Sequence, residues 1–121
     1  MNIFYIAIAV LLIWFIFLRF IPAKGVKQLN TYQLNDILEE KKYQFIDVRT
    51  PGEFKQNHIS NFKNIPLGEL MHRYGELNKE QEVVLICQSG MRSNKASKLL
   101  KRLGFSKITN IKGGMAAWSH Q

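Results

Sequence analysis

The chain opens on an unbroken apolar run and then settles into short segments that alternate between two periods. Residues 3 to 18, IFYIAIAVLLIWFIFL, contain no charge, no Gly and no Pro. With Arg19, Phe20 and Ile21 the stretch reaches about 19 residues, roughly 28 Å as a helix, close to the hydrocarbon thickness of a bilayer. The expectation is a transmembrane helix over residues 1–21. A cleaved signal peptide would place Lys or Arg ahead of the run and small residues at its end. Only Asn2 precedes it, and Phe20-Ile21-Pro22 follow. A buried core helix is the other rival. Trp14, Phe15 and Phe17 suit the membrane interface.

Residues 22–27, PAKGVK, carry the turn formers of a short linker. The remainder, 28–121, has the length of one modest domain with one core. Its segments QFIDV (44–48), FKNIP (62–66), EVVLIC (82–87) and KITNI (107–111) are short, apolar or β-branched and bounded by turn residues, which predicts strands. Helical spacing fills the gaps. Thr31 to Glu40 follows a candidate cap at Asn30, and Thr50-Pro51-Gly52-Glu53 reads as a capping box with Pro at the first helical position. Leu67 to Tyr74 forms a third amphipathic piece. Ser93 to Leu103 carries Ala96, Leu99, Leu100 and Leu103 on one face and stops at Gly104. Met115 to Trp118 reads as a final short helix entered through Gly113-Gly114. Strand and helix in alternation predict a doubly wound α/β fold, a mostly parallel sheet with helices on both faces.

That fold gives meaning to the single cysteine. VVLI (83–86) is apolar at every position, as a central parallel strand should be, so Cys87 lies at or just past its carboxyl end. Ligands bind at that edge of open α/β sheets. Gln88, Ser89, Gly90 and Met91 allow only a tight loop before the next helix. Such a loop turns backbone N–H groups inward, and the helix start near Ser93 adds the positive end of its dipole. The outcome is an anion cradle around Cys87 that favours its thiolate and steadies charge on anything attached to the sulfur. Arg92 supplies a donor fork suited to an oxyanion, and Gly90 permits backbone geometry that a side chain would obstruct.

Charge and cysteine usage sharpen the setting. The formal net charge is +8 with one Cys. Arg19, Lys24 and Lys27 follow the apolar run, and the positive-inside rule then puts the domain in the cytoplasm, at the cell membrane, as a single-pass protein. A lone cysteine closes no internal disulfide, which suits that reducing compartment. Lys95, Lys98, Lys101, Arg102, Lys107 and Lys112 gather around the helix after the loop. A solvated helix face is the plain account of this cluster; attraction to anionic headgroups and steering of an anionic donor are the others. No aromatic-basic motif points to nucleic acid, and the scattered His residues show no metal-ligand spacing.

IDVRTPGEF (46–54), His58-Ile59, Asn64-Ile65-Pro66, CQSGMRS (87–93) and GGMAAW (113–118), in this order and spacing, resemble a single-domain rhodanese. The resemblance implies sulfur transfer: Cys87 takes the outer sulfur of a donor such as thiosulfate or a persulfide. It then passes that sulfur as a persulfide to a thiol or to cyanide. It also implies that the loop from Gln88 through Ser89, Gly90, Met91 and Arg92 to Ser93 holds the terminal sulfur, and that no cofactor or metal takes part. Relatives acting on phosphate or arsenate carry five residues between cysteine and arginine, whereas Cys87 and Arg92 are separated by four. Sulfite needs no proton on leaving, while a phosphatase needs a positioned acid, and no carboxylate lies near this loop in sequence.

Asp47, Arg49 and Glu53 are read as a polar network bracing the loop, and His58 as a packing and hydrogen-bonding residue. His72 and His120 read as surface residues. Two positions depart from the family pattern: Asn61-Phe62 replaces a Gly and a small residue, and Gln88 stands where thiosulfate-using members carry a basic or aromatic residue. The second departure leaves a protein persulfide or small thiol open as donor. The reading is a membrane-anchored sulfurtransferase with a small anionic sulfur donor and a thiol acceptor. Its rival is a non-turnover binding or redox-sensing module of the same fold at the membrane.

Overall fold

A computed structural model describes residues 2–21 and 24–119. Part of the expected linker, residues 22 and 23, and His120 lie outside the described residues. The chain runs α1 (Ile3–Phe20), β1 (Lys27–Leu29), α2 (Thr31–Ile37), β2 (Tyr43–Asp47), α3 (Pro51–Gln56) and β3 (Lys63–Asn64). It continues through α4 (Leu67–Arg73), a 3-10 turn (Tyr74–Glu76), β4 (Glu82–Ile86), α5 (Met91–Arg102), β5 (Ile108–Ile111) and α6 (Gly114–Trp118). The five strands form one sheet in the order β1-β5-β4-β2-β3, and every pairing is parallel.

The central strand explains the two-sided core. Val83, Val84, Leu85 and Ile86 of β4 are all fully buried. Side chains alternate across a strand, so Val83, Leu85 and Cys87 enter one cluster with Ala96 and Leu100 of α5 and Leu70 of α4. Val84 and Ile86 enter the opposite cluster with Leu34 of α2 and Met115 of α6. Helices therefore cover both faces. Parallel packing of this kind needs apolar residues at every strand position, as VVLI supplies.

Local chemistry sets the element ends. Asn30 and Thr50 both make reciprocal capping boxes, with Gln33 and Glu53. Gly104, at φ +97°, turns the chain after α5, as the sequence predicts. Three expectations need adjusting. The strand β1 carries no alternating signal that predicts it; it forms as a three-residue edge on β5. FKNIP yields only the two-residue β3, because Phe62 instead buries its ring against Phe45, with centroids 5.2 Å apart. The helix after the loop begins at Met91, two residues before the expected start, because Gly90 adopts φ +106° and starts it early.

The transmembrane expectation is also corrected. Among the described residues, no helix is long and apolar enough to cross a membrane. Arg19 sits in the last turn of α1. The uncharged run from Ile3 to Leu18 therefore extends about 24 Å, short of the ~30 Å hydrocarbon core. Nor is α1 a buried core helix, because Leu11, Ile13, Trp14 and Phe17 are all exposed. Its far end touches the domain, where the Asn94 side chain donates to the Ile21 carbonyl at 2.7 Å.

Candidate active site

Cys87 is the residue after β4, and only 1% of its surface is exposed. The turn that follows wraps back onto the sulfur. The Gly90 N–H donates to Sγ at 3.0 Å, and the Ser93 hydroxyl lies 3.3 Å away. In the thiol form the sulfur donates to Ser93 Oγ, whose own proton goes to the Gly90 carbonyl at 3.2 Å. A hydroxyl rotates freely, so the same oxygen can donate to a thiolate. Gly90 is the residue that makes this turn affordable, since its left-handed backbone is strained for any side chain.

The carbonyl side of the loop is held separately. The first turn of α6 donates Met115 N–H to the Cys87 carbonyl at 2.8 Å and Ala116 N–H to the Gln88 carbonyl at 3.0 Å. The backbone at Gly114 packs so closely that a Cβ there would collide with the Cys87 carbonyl oxygen. The strand end, the loop and α6 thus form one tightly spaced unit around the cysteine. Sequence reasoning put Gly113-Gly114 in a turn; this second role needs the three-dimensional approach of β4 to α6.

Asp47 and Arg49 are both buried, at 0% and 3% exposure. Arg49 reaches Asp47 through Nε and Nη2, the latter at 2.8 Å, and gives Nη2 also to the Asn57 carbonyl at 2.6 Å. Its remaining nitrogen points to Gln88 Oε1 at 3.5 Å, which links the end of β2 to the active loop. Asn64 ties the same strand end by donating to the Asp47 and Arg49 carbonyls, each at 2.9 Å. Asn57 carries no sequence signal and Asn64 stands out only within Asn64-Ile65-Pro66, since spacing alone does not mark which carbonyls and amides meet in the fold.

Arg92 is placed differently from expectation. Its fork grips the carboxylate of Glu53 at 2.6 and 2.9 Å instead of aiming into the loop. The Arg92 hydrogen bonds hold the Glu53 carboxyl down at about 2. Met91 and Ser89 are exposed, and Gln88 is exposed beside Arg49. His58 stacks on Phe54, with centroids 3.9 Å apart and planes at 15°, and its Nδ1 bonds the Phe54 carbonyl at 2.7 Å. That is a packing role. Among the described residues no group of three His, Cys, Asp or Glu could hold a metal ion.

A buried sulfur at a strand end, ringed by a left-handed turn and a helix start, describes a nucleophile built to carry a transferable group. The sequence comparisons agree with that class. Residues 30–121 match the family described as the rhodanese-like domain, and the chain belongs to it. It is 42% identical over 78 residues to the protein YqhL of Bacillus subtilis, covering 64% of this chain and 62% of that one. It is 30% identical over 92 residues to the thiosulfate sulfurtransferase GlpE of Shewanella oneidensis, covering 76% of this chain and 91% of GlpE. A crystal structure of a rhodanese-like domain protein from Staphylococcus aureus superposes with a TM-score of 0.71 at 34% identity, covering 77% of this chain and 91% of that one.

Proposed function

We propose that this chain is a sulfurtransferase that carries sulfane sulfur on Cys87. The observation that carries the reading is the ring at the end of β4, where Gly90 N–H and the Ser93 hydroxyl meet Sγ. The similarity to the thiosulfate sulfurtransferase GlpE supports the same chemistry. In the first half-reaction the Cys87 thiolate attacks the outer sulfur of a donor such as thiosulfate. The new Sγ–S bond forms as the donor S–S bond breaks, and sulfite leaves with the electron pair. In the second, a thiolate or cyanide attacks the outer sulfur, and Cys87 departs as thiolate. No oxidant or reductant is consumed. Backbone donors and the helix start stabilise negative charge on the outer sulfur in both steps.

Arg92 acts in this scheme through Glu53. The pair clamps the start of α3 to the start of α5 and so fixes the loop, while its charge is already balanced. The donor is then recognised by the loop amides more than by a free guanidinium, which leaves room for a thiosulfate or a persulfide donor.

The setting proposed is a membrane surface. Every residue of α1 from Ile3 to Leu18 is exposed, an apolar surface that water disfavours. Lying along such a surface, the helix buries apolar side chains at the headgroup boundary while Arg19 snorkels to the headgroups. Arg19, Lys24 and Lys27 then favour an anionic membrane face, as the cytoplasmic leaflet is. Flotation of the full chain with anionic liposomes tests this attachment; a monodisperse full chain that stays with the soluble fraction would end it.

The test of activity uses the full chain in detergent with thiosulfate and cyanide. Thiocyanate should form, and the chain should gain the mass of one sulfur atom, with both effects gone in Cys87→Ala. If neither appears with thiosulfate or with low-molecular-weight persulfides, the chain is instead the non-turnover module.

A further inference from the structure

We infer that the cavity behind the active loop is a subsite for the amide and carboxylate of a peptidic thiol acceptor. The inference rests on the sulfur-transfer reading above and adds the class of acceptor. The cavity has a volume of about 230 Å³ and is lined by Ser89 and Gly90 of the loop, Gln28 of β1, Asn110 of β5, and Arg19 and Lys112 at its rim. That is smaller than a pocket for a drug-sized molecule and suits a fragment of amino-acid size.

Its floor holds an unfinished hydrogen-bond pattern. Gln28 and Asn110 face each other in register on β1 and β5. Asn110, 4% exposed, donates to Gln28 Oε1 at 3.0 Å. Gln28 Nε2 and Asn110 Oδ1 are then left buried with no partner among the described residues. Exchanging O and N in both amides changes nothing essential, because one donor and one acceptor stay unmatched either way. A buried donor or acceptor without a partner is unfavourable, and a ligand that supplies the partner removes that cost. Gln28 is itself half-exposed, and its terminal torsion is soft, so its amide can turn toward the cavity.

The missing complement is one acceptor beside one donor, which is a secondary amide. The rim adds Arg19 and Lys112 and no carboxylate, which suits a carboxylate on the same ligand. The position matters for the reaction. Gly90, a wall of this cavity, is the residue whose N–H holds Sγ at 3.0 Å. An acceptor seated here lies against the loop that carries the persulfide. Its thiolate attacks the outer sulfur, the Sγ–S bond breaks, Cys87 leaves as thiolate, and the acceptor departs as a persulfide.

The experiment separates binding from transfer. The full chain in detergent is titrated with S-methyl-glutathione, a tripeptide with secondary amides and carboxylates that cannot accept sulfur. Saturable binding is expected, about tenfold weaker in Gln28→Met and in Lys112→Gln. No saturation at millimolar concentration, or binding unchanged in both variants, overturns the proposal. Discharge of loaded Cys87 is then followed with glutathione, 2-mercaptoethanol and cyanide. The two variants should lose about tenfold in kcat/KM for glutathione relative to 2-mercaptoethanol. An equal fall for glutathione and cyanide in the two variants would show that Gln28 and Lys112 only brace the loop, which also overturns it. Failure of Cys87 to gain sulfur would count against sulfur transfer itself, and the titration would still decide the subsite.

Discussion

Arg92 meets Glu53 as a two-pronged pair, Nη1 to Oε1 at 2.6 Å and Nη2 to Oε2 at 2.9 Å, joining the first turn of α5 to the first turn of α3. The two side chains are each one-third exposed. Sequence separation hides the pair, since the two residues are 39 positions apart. It turns the arginine of the active loop into a brace.

The brace gives a pH signature. Arg92 lowers the Glu53 carboxyl from 4.5 to about 2 in the fold. A carboxyl lowered on folding stabilises fully above its ordinary value and loses that contribution as pH falls through the folded one. Glu53→Gln should therefore be less stable than the unaltered chain at pH 7, by about 1 kcal/mol once solvent screening is allowed for. The gap should shrink between pH 4.5 and about pH 2. Urea unfolding at several pH values measures it, and a gap that stays constant down to pH 2 would show that the pair contributes nothing.

The Asp47–Arg49 pair behaves differently because water does not reach it. Arg49 has its carboxylate partner at 2.8 Å and both groups are buried. Asp47→Asn leaves a buried guanidinium without its countercharge, and a loss of about 3–5 kcal/mol is expected. Arg49→Met alone would in turn strand the buried Asp47 carboxylate, whereas the double variant Asp47→Asn with Arg49→Met removes both charges, so the double variant should cost less than Asp47→Asn alone. Equal losses in Asp47→Asn and the double variant, measured by denaturant unfolding, would mean that packing and not charge sets the cost.

Much of this architecture is legible along the chain, and the exceptions share a cause. VVLI, the Asn30 cap, the Thr50–Glu53 capping box and Gly104 announce themselves because strand burial, caps and left-handed turns depend on neighbours within a few residues. Cys87 is legible for the same reason, being one step past an all-apolar strand. β1 is not, because Lys27 to Leu29 becomes a strand only by pairing with Thr109 to Ile111. The short β3 fails likewise, since Phe62 is claimed by Phe45 across the sheet. The target of Arg92 and the contact of Gly114 with Cys87 are long-range relations that no spacing rule contains. The apolar run of α1 is plain, but Arg19 in its last turn limits how far it reaches.

Ser93 offers a direct probe of the sulfur ring. It is fully buried, its hydroxyl lies 3.3 Å from Cys87 Sγ, and it sits in the first turn of α5. Ser93→Ala removes one donor to a charged sulfur while leaving Gly90 N–H in place. A hydrogen bond to a charged group contributes about 1.5–3 kcal/mol, so loading of Cys87 by thiosulfate should slow by about ten- to a hundredfold. Stability should change by under about 2 kcal/mol, since the Gly90 carbonyl that the hydroxyl leaves keeps the Asn94 N–H as its donor at 3.0 Å. Stopped-flow loading followed by mass measurement gives the rate. Unchanged loading would show that the hydroxyl only caps Gly90.

Gly114 tests whether the cysteine is held from behind as well. Its φ is +55°, in the left-handed region, and a Cβ there collides with the carbonyl of Cys87. Gly114→Ala therefore meets two obstacles, a backbone strain of about 1–3 kcal/mol and a clash with rigid main chain at the end of β4. The clash is relieved only if α6 moves off the loop, which breaks the Met115 and Ala116 donations to the Cys87 and Gln88 carbonyls. Loading of Cys87 should fall together with stability. Gly52→Ala is the matched control, since nothing lies within 4 Å of a Cβ at Gly52, and it should leave both unchanged within about 0.5 kcal/mol. If Gly114→Ala unfolds at the same denaturant concentration as Gly52→Ala and loads sulfur equally fast, then α6 does not hold the cysteine in place.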